Sequence, residues 1–259
     1  MRIALGLEYD GTAFCGWQTQ PGGCGVQDHL QAALSKLADE PIEVTAAGRT
    51  DTGVHASAQV VHFDTNAQRD ENAWVRGTNA NLDEAARVVW SHEVPEDFHA
   101  RYSARSRTYR YLLLDHGVAP AILRHRVGWY HKPLDVLAMQ EALKAVVGEH
   151  DFSAFRDAQC QAKSPFRNLH EAVVERRATL IVFTFRANAF LHHMIRNLVG
   201  SLVYVGAAKQ RPEWIAELLA TKDRRNAAPT FAPDGLYLAG VEYDPAFGLP
   251  AFRAQALLE

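Results

Sequence analysis

The sequence predicts an α+β fold whose first half follows the βαββαβ pattern of ferredoxin-like domains. Three observations predict it. Short apolar runs bounded by Gly, Pro and Asp read as strands; longer stretches with apolar residues three and four apart read as helices between them; and no low-complexity segment interrupts the alternation. A chain of 259 residues, 47% hydrophobic and 22% charged, can bury a core and has room for two domains of ordinary size.

Residues 3–9 form the first expected strand. Residues 19–25 hold Pro21, Gly22, Gly23 and Gly25 and read as a turn-rich loop. A helix follows from residue 26, with Val26, Leu30, Ala33, Leu34 and Leu37 on its buried stripe and Gly25 at its cap. Strands at 42–46 and 58–63 flank the segment AGRTDTGVHA (47–56), which is therefore expected as a loop between strands. A helix at 71–82 and a strand at 86–94 complete the pattern. The second half echoes it loosely: a strand at 108–114, a helix at 134–147 with a Leu137, Leu143 and Val147 face, and two antiparallel strands at 169–176 and 180–186. A long buried helix at 190–204, a short one at 212–221 opened by Pro212, and a closing strand at 235–243 finish the chain. The domain boundary is placed at 105/106, giving an N-terminal domain 1–105 and a C-terminal domain 106–259.

Several function classes recede at once. The N-terminus acquires charge by Glu8 and lacks the long apolar region of a signal peptide. The longest apolar run, 198–208, is far short of the ~20 residues that span a bilayer. A cytoplasmic protein with no membrane partner is expected. Cys15, Cys24 and Cys160 include no CxxC pair and are expected as reduced thiols. His192 and His193 are adjacent; on a helix neighbours point roughly 100° apart, so no metal site is expected there.

Charge is informative only locally. Lys and Arg total 27 against 30 Asp and Glu, so the chain as a whole is not basic. The segment RYSARSRTYR (101–110) nevertheless carries four arginines and two tyrosines with no acid. Arg124-His125-Arg126 and Lys222-Asp223-Arg224-Arg225 add further basic clusters. Arginine interleaved with tyrosine offers both phosphate contacts and stacking surfaces to a nucleic acid.

The loop 47–56 holds one carboxylate, Asp51. Asp51-Thr52-Gly53 is the signature of an aspartic protease, but that chemistry needs two carboxylates sharing a proton, and the motif occurs once. Arg49 also puts a permanent cation two residues from the acid, opposite in kind to a second carboxylate. A hydrolytic triad of Asp51 with His55 would need a serine or cysteine on an exposed elbow, and no GxSxG is present. His55 reads better as a structural hydrogen-bonding residue. Standing alone, Asp51 would read as a turn-capping residue beside Gly53.

It does not stand alone. AGRTDTGVHA closely resembles the catalytic motif of the tRNA pseudouridine synthase A family. Further blocks of the family pattern occur in order: YDGTAFCGWQTQP (9–21), FHARYSARSRTYRY (98–111), DFSAFR with CQAKSPFR (between 151 and 167), FLHHMIRNLVG (190–200), and AP with DGLYL (between 232 and 238). The resemblance implies two ferredoxin-like, RRM-like α/β domains, with antiparallel sheets flanking a central active-site cleft. It implies a homodimer acting on the anticodon stem-loop of tRNA, with cofactor-free isomerisation of uridine to pseudouridine at positions 38–40. Asp51 would be the catalytic residue, acting as an ionised carboxylate, and Tyr109 the ring that stacks on the target uracil. Arg196 would pair with Asp51, Arg49 would fill the gap left by the extruded nucleotide, and Leu236 would wall the uracil pocket. A non-catalytic RNA-binding module and an aspartic-type hydrolase are the rival classes.

Overall fold

The strand β1 (Arg2–Tyr9) lies between two antiparallel neighbours, β3 (His55–Asp64) and β4 (Ala86–Val94), with Leu5 opposite Val61 on one side and Ser91 on the other. The structure is a computed structural model describing residues 1–250. It is a mixed α/β arrangement with two compact units: residues 1–107 with 237–250, and residues 108–236. The closing strand therefore belongs almost wholly to the first unit, where a boundary at 105/106 would group it with the second.

In the first unit, α1 (Val26–Ala38) and α2 (Glu71–Asn79) pack against each other. Gly25 is the N-cap of α1, and the Asp28 carboxylate accepts from its amide at 2.9 Å. Ala4, Val60, Val94, Phe98 and Ala100 form a second cluster, covered by Trp90, Tyr243 and Phe247. β1 is consequently buried over most of its length, which is why Ile3 to Leu7 read as a continuous apolar run and not as a half-exposed alternation.

Of the strand expected at 42–46, only β2 (Thr45–Ala46) pairs, antiparallel to β3. Side chains of α1 take over the rest: Ser35 Oγ accepts from the Ile42 amide at 2.9 Å and Gln31 Oε1 from the Val44 amide at 3.0 Å. Those amides are satisfied without a ladder. β3 begins at His55, three residues earlier than expected, because β10 (Leu236–Glu242) runs parallel to its first residues, with Tyr237 opposite His55.

The second unit begins within β5 (Ser106–Asp115), to which β6 (Gly128–Tyr130) pairs in parallel. β7 (Gly148–Asp151), β8 (Phe166–Arg177) and β9 (Leu180–Ala187) are successive antiparallel neighbours, and β9 lies beside β5. α3 (Val136–Leu143), α4 (Met194–Gly206) and α5 (Trp214–Thr221) pack together.

Of the expected α3 face, Leu143 is buried but Leu137 and Val147 are not. Leu137 is 82% exposed and Val147 is also exposed, whereas Met139, Ala142, Leu143 and Val146 are buried. Asp135 caps the helix by accepting from the Ala138 amide, and a 3₁₀ turn at 144–146 tightens its end, so the stripe falls on different residues. Among the described residues no helix is long and apolar enough to cross a membrane.

Candidate active site

Ala47 still donates its amide to the Val60 carbonyl of β3 at 2.8 Å, but residues 48–54 return to β3 without pairing to a strand, so their shape depends on other contacts. The Thr50 carbonyl accepts from the Trp17 amide at 2.9 Å, and the Asp51 carbonyl from the Val54 amide at 3.1 Å. The Gly53 amide donates to the Gly11 carbonyl at 3.3 Å, and Gly53 turns the chain with φ 79°. Gln59 Nε2 donates to the Gly48 carbonyl at 2.7 Å. The Thr50 hydroxyl is 2.8 Å from the buried Tyr9 hydroxyl. Thr50 is thus turned inward, while Arg49 and Thr52 are exposed and Asp51 is half-buried.

Two glycines bring the preceding turn against this loop. A Cβ on Gly11 would lie 2.1 Å from the Val54 carbonyl oxygen, and one on Gly16 would lie 2.9 Å from the Thr50 oxygen and 3.2 Å from the Asp51 carbonyl carbon. The residues between 9 and 17 therefore form the backing of the Asp51 loop.

His55 has the structural role expected of it. It is buried, its Nδ1 accepts from the Gly11 amide at 3.1 Å and lies 3.2 Å from Asp10 Oδ1, and its ring stacks on Tyr237 with centroids 4.6 Å apart.

In the second unit Tyr109 is buried on β5, edge-on to Phe190 with centroids 5.1 Å apart. Arg196 stands in the first turn of α4. Its Nε donates to the Phe231 carbonyl at 2.9 Å and its carbonyl accepts from the Phe231 amide at 3.2 Å. Tyr111 donates its hydroxyl to the Ala232 carbonyl at 2.9 Å, and the Leu112 amide donates to the Gly235 carbonyl at 2.8 Å. β5, the start of α4 and the 231–236 segment are thereby tied together, and Leu236 is buried at the end of that segment. Burial, reinforced by Asp234, pushes the Tyr111 hydroxyl far up, so it remains a donor.

The helix expected at 190–204 begins only at Met194 because His193 sits in the left-handed region with φ 60°. His192 and His193 are therefore not neighbours on a helix. Their rings stack with centroids 3.9 Å apart, and their Nδ1 atoms lie 3.5 and 2.7 Å from the Asp157 carboxylate. Imidazoles and a carboxylate are ligand-type groups, and the helical spacing that argued against a shared ion does not hold here.

The basic segment 101–110 is not a uniform cationic face. Arg105 pairs with Asp244. Arg107 is 8% exposed; it donates to the Ala47 carbonyl from Nη2 at 2.9 Å and from Nε at 3.2 Å, and also to the Arg101 and Ala104 carbonyls. Arg101 lies over the exposed Tyr102 ring at 5.6 Å. In the later cluster, Arg225 pairs with Asp223, and Arg224 donates to Asn197 Oδ1 at 3.0 Å. Several of the arginines singled out as phosphate ligands are thus occupied within the protein.

The cysteines also depart from expectation. Cys15 and Cys24 are joined as a disulfide, their Cα atoms 5.4 Å apart, and the Cys15 amide donates to the Cys24 carbonyl at 2.9 Å. The loop between them folds back at Gly22 and Gly23, both at positive φ, which a spacing rule for CxxC pairs does not detect.

Sequence reasoning passed over Tyr9, Thr50, Gln59 and Arg107 as site residues. The available signal was Gln59, a polar residue inside the apolar stretch AQVV, since such a group is buried only when hydrogen-bonded.

A family model described as tRNA pseudouridine synthase matches residues 7–103 and 142–244 of the chain. Those spans contain Arg49, Asp51, Arg196 and Leu236; Tyr109 lies between them. The chain is 57% identical over 250 residues to a protein of Methylobacillus flagellatus named tRNA pseudouridine synthase A, covering 96% of each. Proteins of the same name from Dechloromonas aromatica and Thiobacillus denitrificans are 58% and 55% identical over 250 residues, covering 96% of this chain and 95% and 96% of theirs.

Proposed function

The chain belongs to the tRNA pseudouridine synthase family, and from that membership we propose that it isomerises uridine to pseudouridine in the anticodon stem-loop of tRNA, at positions 38–40, as a cytoplasmic homodimer. The observation that carries this reading is the single carboxylate of Asp51 on a loop matched by the family and fixed from behind by hydrogen bonds to Gly48, Thr50 and Gly53.

The reaction breaks the C1′–N1 bond, turns the freed uracil within the site, and joins C5 to C1′. C5 gives up its hydrogen to solvent as a proton and N1 takes up a proton in its place, so the composition of the nucleoside is unchanged. One carboxylate suffices, whether it attacks C1′ or C6 or removes the 2′ proton. The target nucleotide must first leave its stack, at a cost of a few kcal/mol. Arg49, exposed beside Asp51, is the residue we assign to the vacated space. Tyr109 provides the ring that stacks on the uracil, Arg196 supplies positive charge to the reacting centre, and Leu236 provides apolar wall. For the fold, the order β4-β1-β3 with β2 on β3 supports a ferredoxin-like first domain; a second domain of the same kind is part of the proposal.

The test uses a tRNA transcript carrying tritium at uracil C5. The wild-type protein releases tritium, and Asp51→Ala releases none above background while still binding tRNA. Absence of release from the wild type rejects the function; loss of binding together with release in Asp51→Ala makes Asp51 a structural residue.

A further inference from the structure

Tyr9 and Thr50 meet where no solvent reaches. Tyr9 closes β1 and Thr50 immediately precedes Asp51; both side chains are buried, and their hydroxyls are 2.8 Å apart. Gln59, fully buried on β3, donates from Nε2 to the Gly48 carbonyl at 2.7 Å and makes a longer contact of 3.5 Å to the Tyr9 hydroxyl. Burial pushes the Tyr9 hydroxyl up to about 12, so it keeps its proton throughout the working range and remains a hydrogen-bonding group.

A buried hydroxyl pair is costly to separate because each group would lose its partner without regaining water. The loop can therefore shift at Thr50 only by breaking this bond, and at Gly48 only by breaking the one to Gln59. Between and beside these anchors the backbone carries Arg49 and Asp51 towards the exposed side. The neighbouring Trp17 amide holds the Thr50 carbonyl at 2.9 Å, so Thr50 is fixed through both its side chain and its main chain.

We propose that Tyr9 and Thr50, backed by Gln59, are positioning residues for the reaction: their buried hydroxyl pair sets where the Asp51 carboxylate stands, without touching the nucleotide. The proposal rests on the isomerase reading above. It makes the end of β1 part of the catalytic apparatus, although Tyr9 is buried.

The test compares Tyr9→Phe and Thr50→Val, each of which removes one hydroxyl at nearly constant shape, with Thr50→Ser, which keeps it. Steady-state tritium release gives kcat and KM, filter binding gives the tRNA Kd, and urea unfolding monitors the fold. A misplacement of the carboxylate by about half an ångström should cost about tenfold in kcat. Tyr9→Phe and Thr50→Val are each expected to show that loss, with KM and Kd within about twofold of wild type. Thr50→Ser should stay within about twofold in kcat, and the Tyr9→Phe/Thr50→Val double variant should be no slower than the slower single one. Wild-type kcat in either hydroxyl-deleted variant overturns the proposal, as does a loss in Thr50→Ser equal to that in Thr50→Val, or multiplication of the two losses in the double variant. Should Tyr9→Phe yield no folded protein, the Thr50 pair decides by the same criteria. Inactive wild-type protein rejects the isomerase reading, whereas active wild type with equally active variants rejects only this inference.

Discussion

Gly16 and Gly22 offer a matched pair of perturbations. Both adopt positive φ, +96° and +103°, so an alanine at either position incurs the left-handed penalty of roughly 1–2 kcal/mol. Their surroundings differ. A Cβ at Gly22 would meet nothing within 4 Å, whereas one at Gly16 would lie 2.9 Å from the Thr50 oxygen, 3.1 Å from the Thr52 nitrogen and 3.2 Å from the Asp51 carbonyl carbon. Those three contacts are all backbone, so the Asp51 loop must retreat by a few tenths of an ångström to admit the methyl group. If a 1 Å misplacement costs about 10²-fold, a shift of that size costs roughly 3- to 10-fold in kcat. Gly16→Ala should therefore be the more destabilised of the two in urea, by the cost of displacing the loop, and only Gly16→Ala should lose turnover in the tritium-release assay. Equal turnover in the two variants would show that contact with the loop does not govern the carboxylate's position, and the reasoning would be refuted.

Two further outcomes follow from the first unit. In the unfolded chain His62 titrates near 6.5; in the fold, burial, followed by the charges of Arg2 and His99, pushes it down to about 4. Because the native state disfavours its protonated form, its contribution is complete above pH 6.5 and is withdrawn as pH falls towards 4, by up to about 3 kcal/mol. Urea midpoints should decline over that window, and His62→Gln should flatten the decline; identical profiles would exclude His62 as the cause. Arg107 serves three carbonyls from a buried fork, at Ala47, Arg101 and Ala104. Arg107→Lys keeps the charge but not the fork, and should destabilise the protein by about 2–3 kcal/mol in urea unfolding. Unchanged stability with weakened tRNA binding would instead assign Arg107 to phosphate.

What could be read from the sequence depended on where each signal resides. α1 was legible because its apolar stripe and its Gly25 cap are both local, and β4 was found at its observed bounds, Ala86–Val94. The start of α4 was not, since the residue that delays it, His193, carries no compositional mark of a left-handed conformation. The buried stripe of α3 moved because the Asp135 cap and the following 3₁₀ turn determine its phase, and the apolar residues Leu137 and Val147 gave no hint of their exposure. The role of Arg107 was misread for a related reason. An arginine in a charged run looks solvated, and only the tertiary structure shows that its donors turn to the Ala47 carbonyl. The Asp51 loop was legible as a motif, whereas among the groups that hold it Tyr9, Gly11 and Trp17 were legible only as unassigned members of YDGTAFCGWQTQP, and Gln59 lay outside every block.

That difference has a physical basis in the chemistry of a lone acid. A pair of carboxylates sharing a proton constrain each other, but a single one must take its position from the chain that bears it. Residues 48–54 lack a strand ladder, so position has to come from separate anchors, and these fall on different atoms: the Gly48 and Thr50 carbonyls, the Thr50 hydroxyl and the Gly53 amide. Their partners, Gln59, Trp17, Tyr9 and Gly11, come from β3, the end of β1 and the turn after it. Removing one anchor leaves the others, so graded losses of turnover are expected in place of unfolding. The block from Tyr9 to Trp17 and the loop around Asp51 are consequently one hydrogen-bonded element.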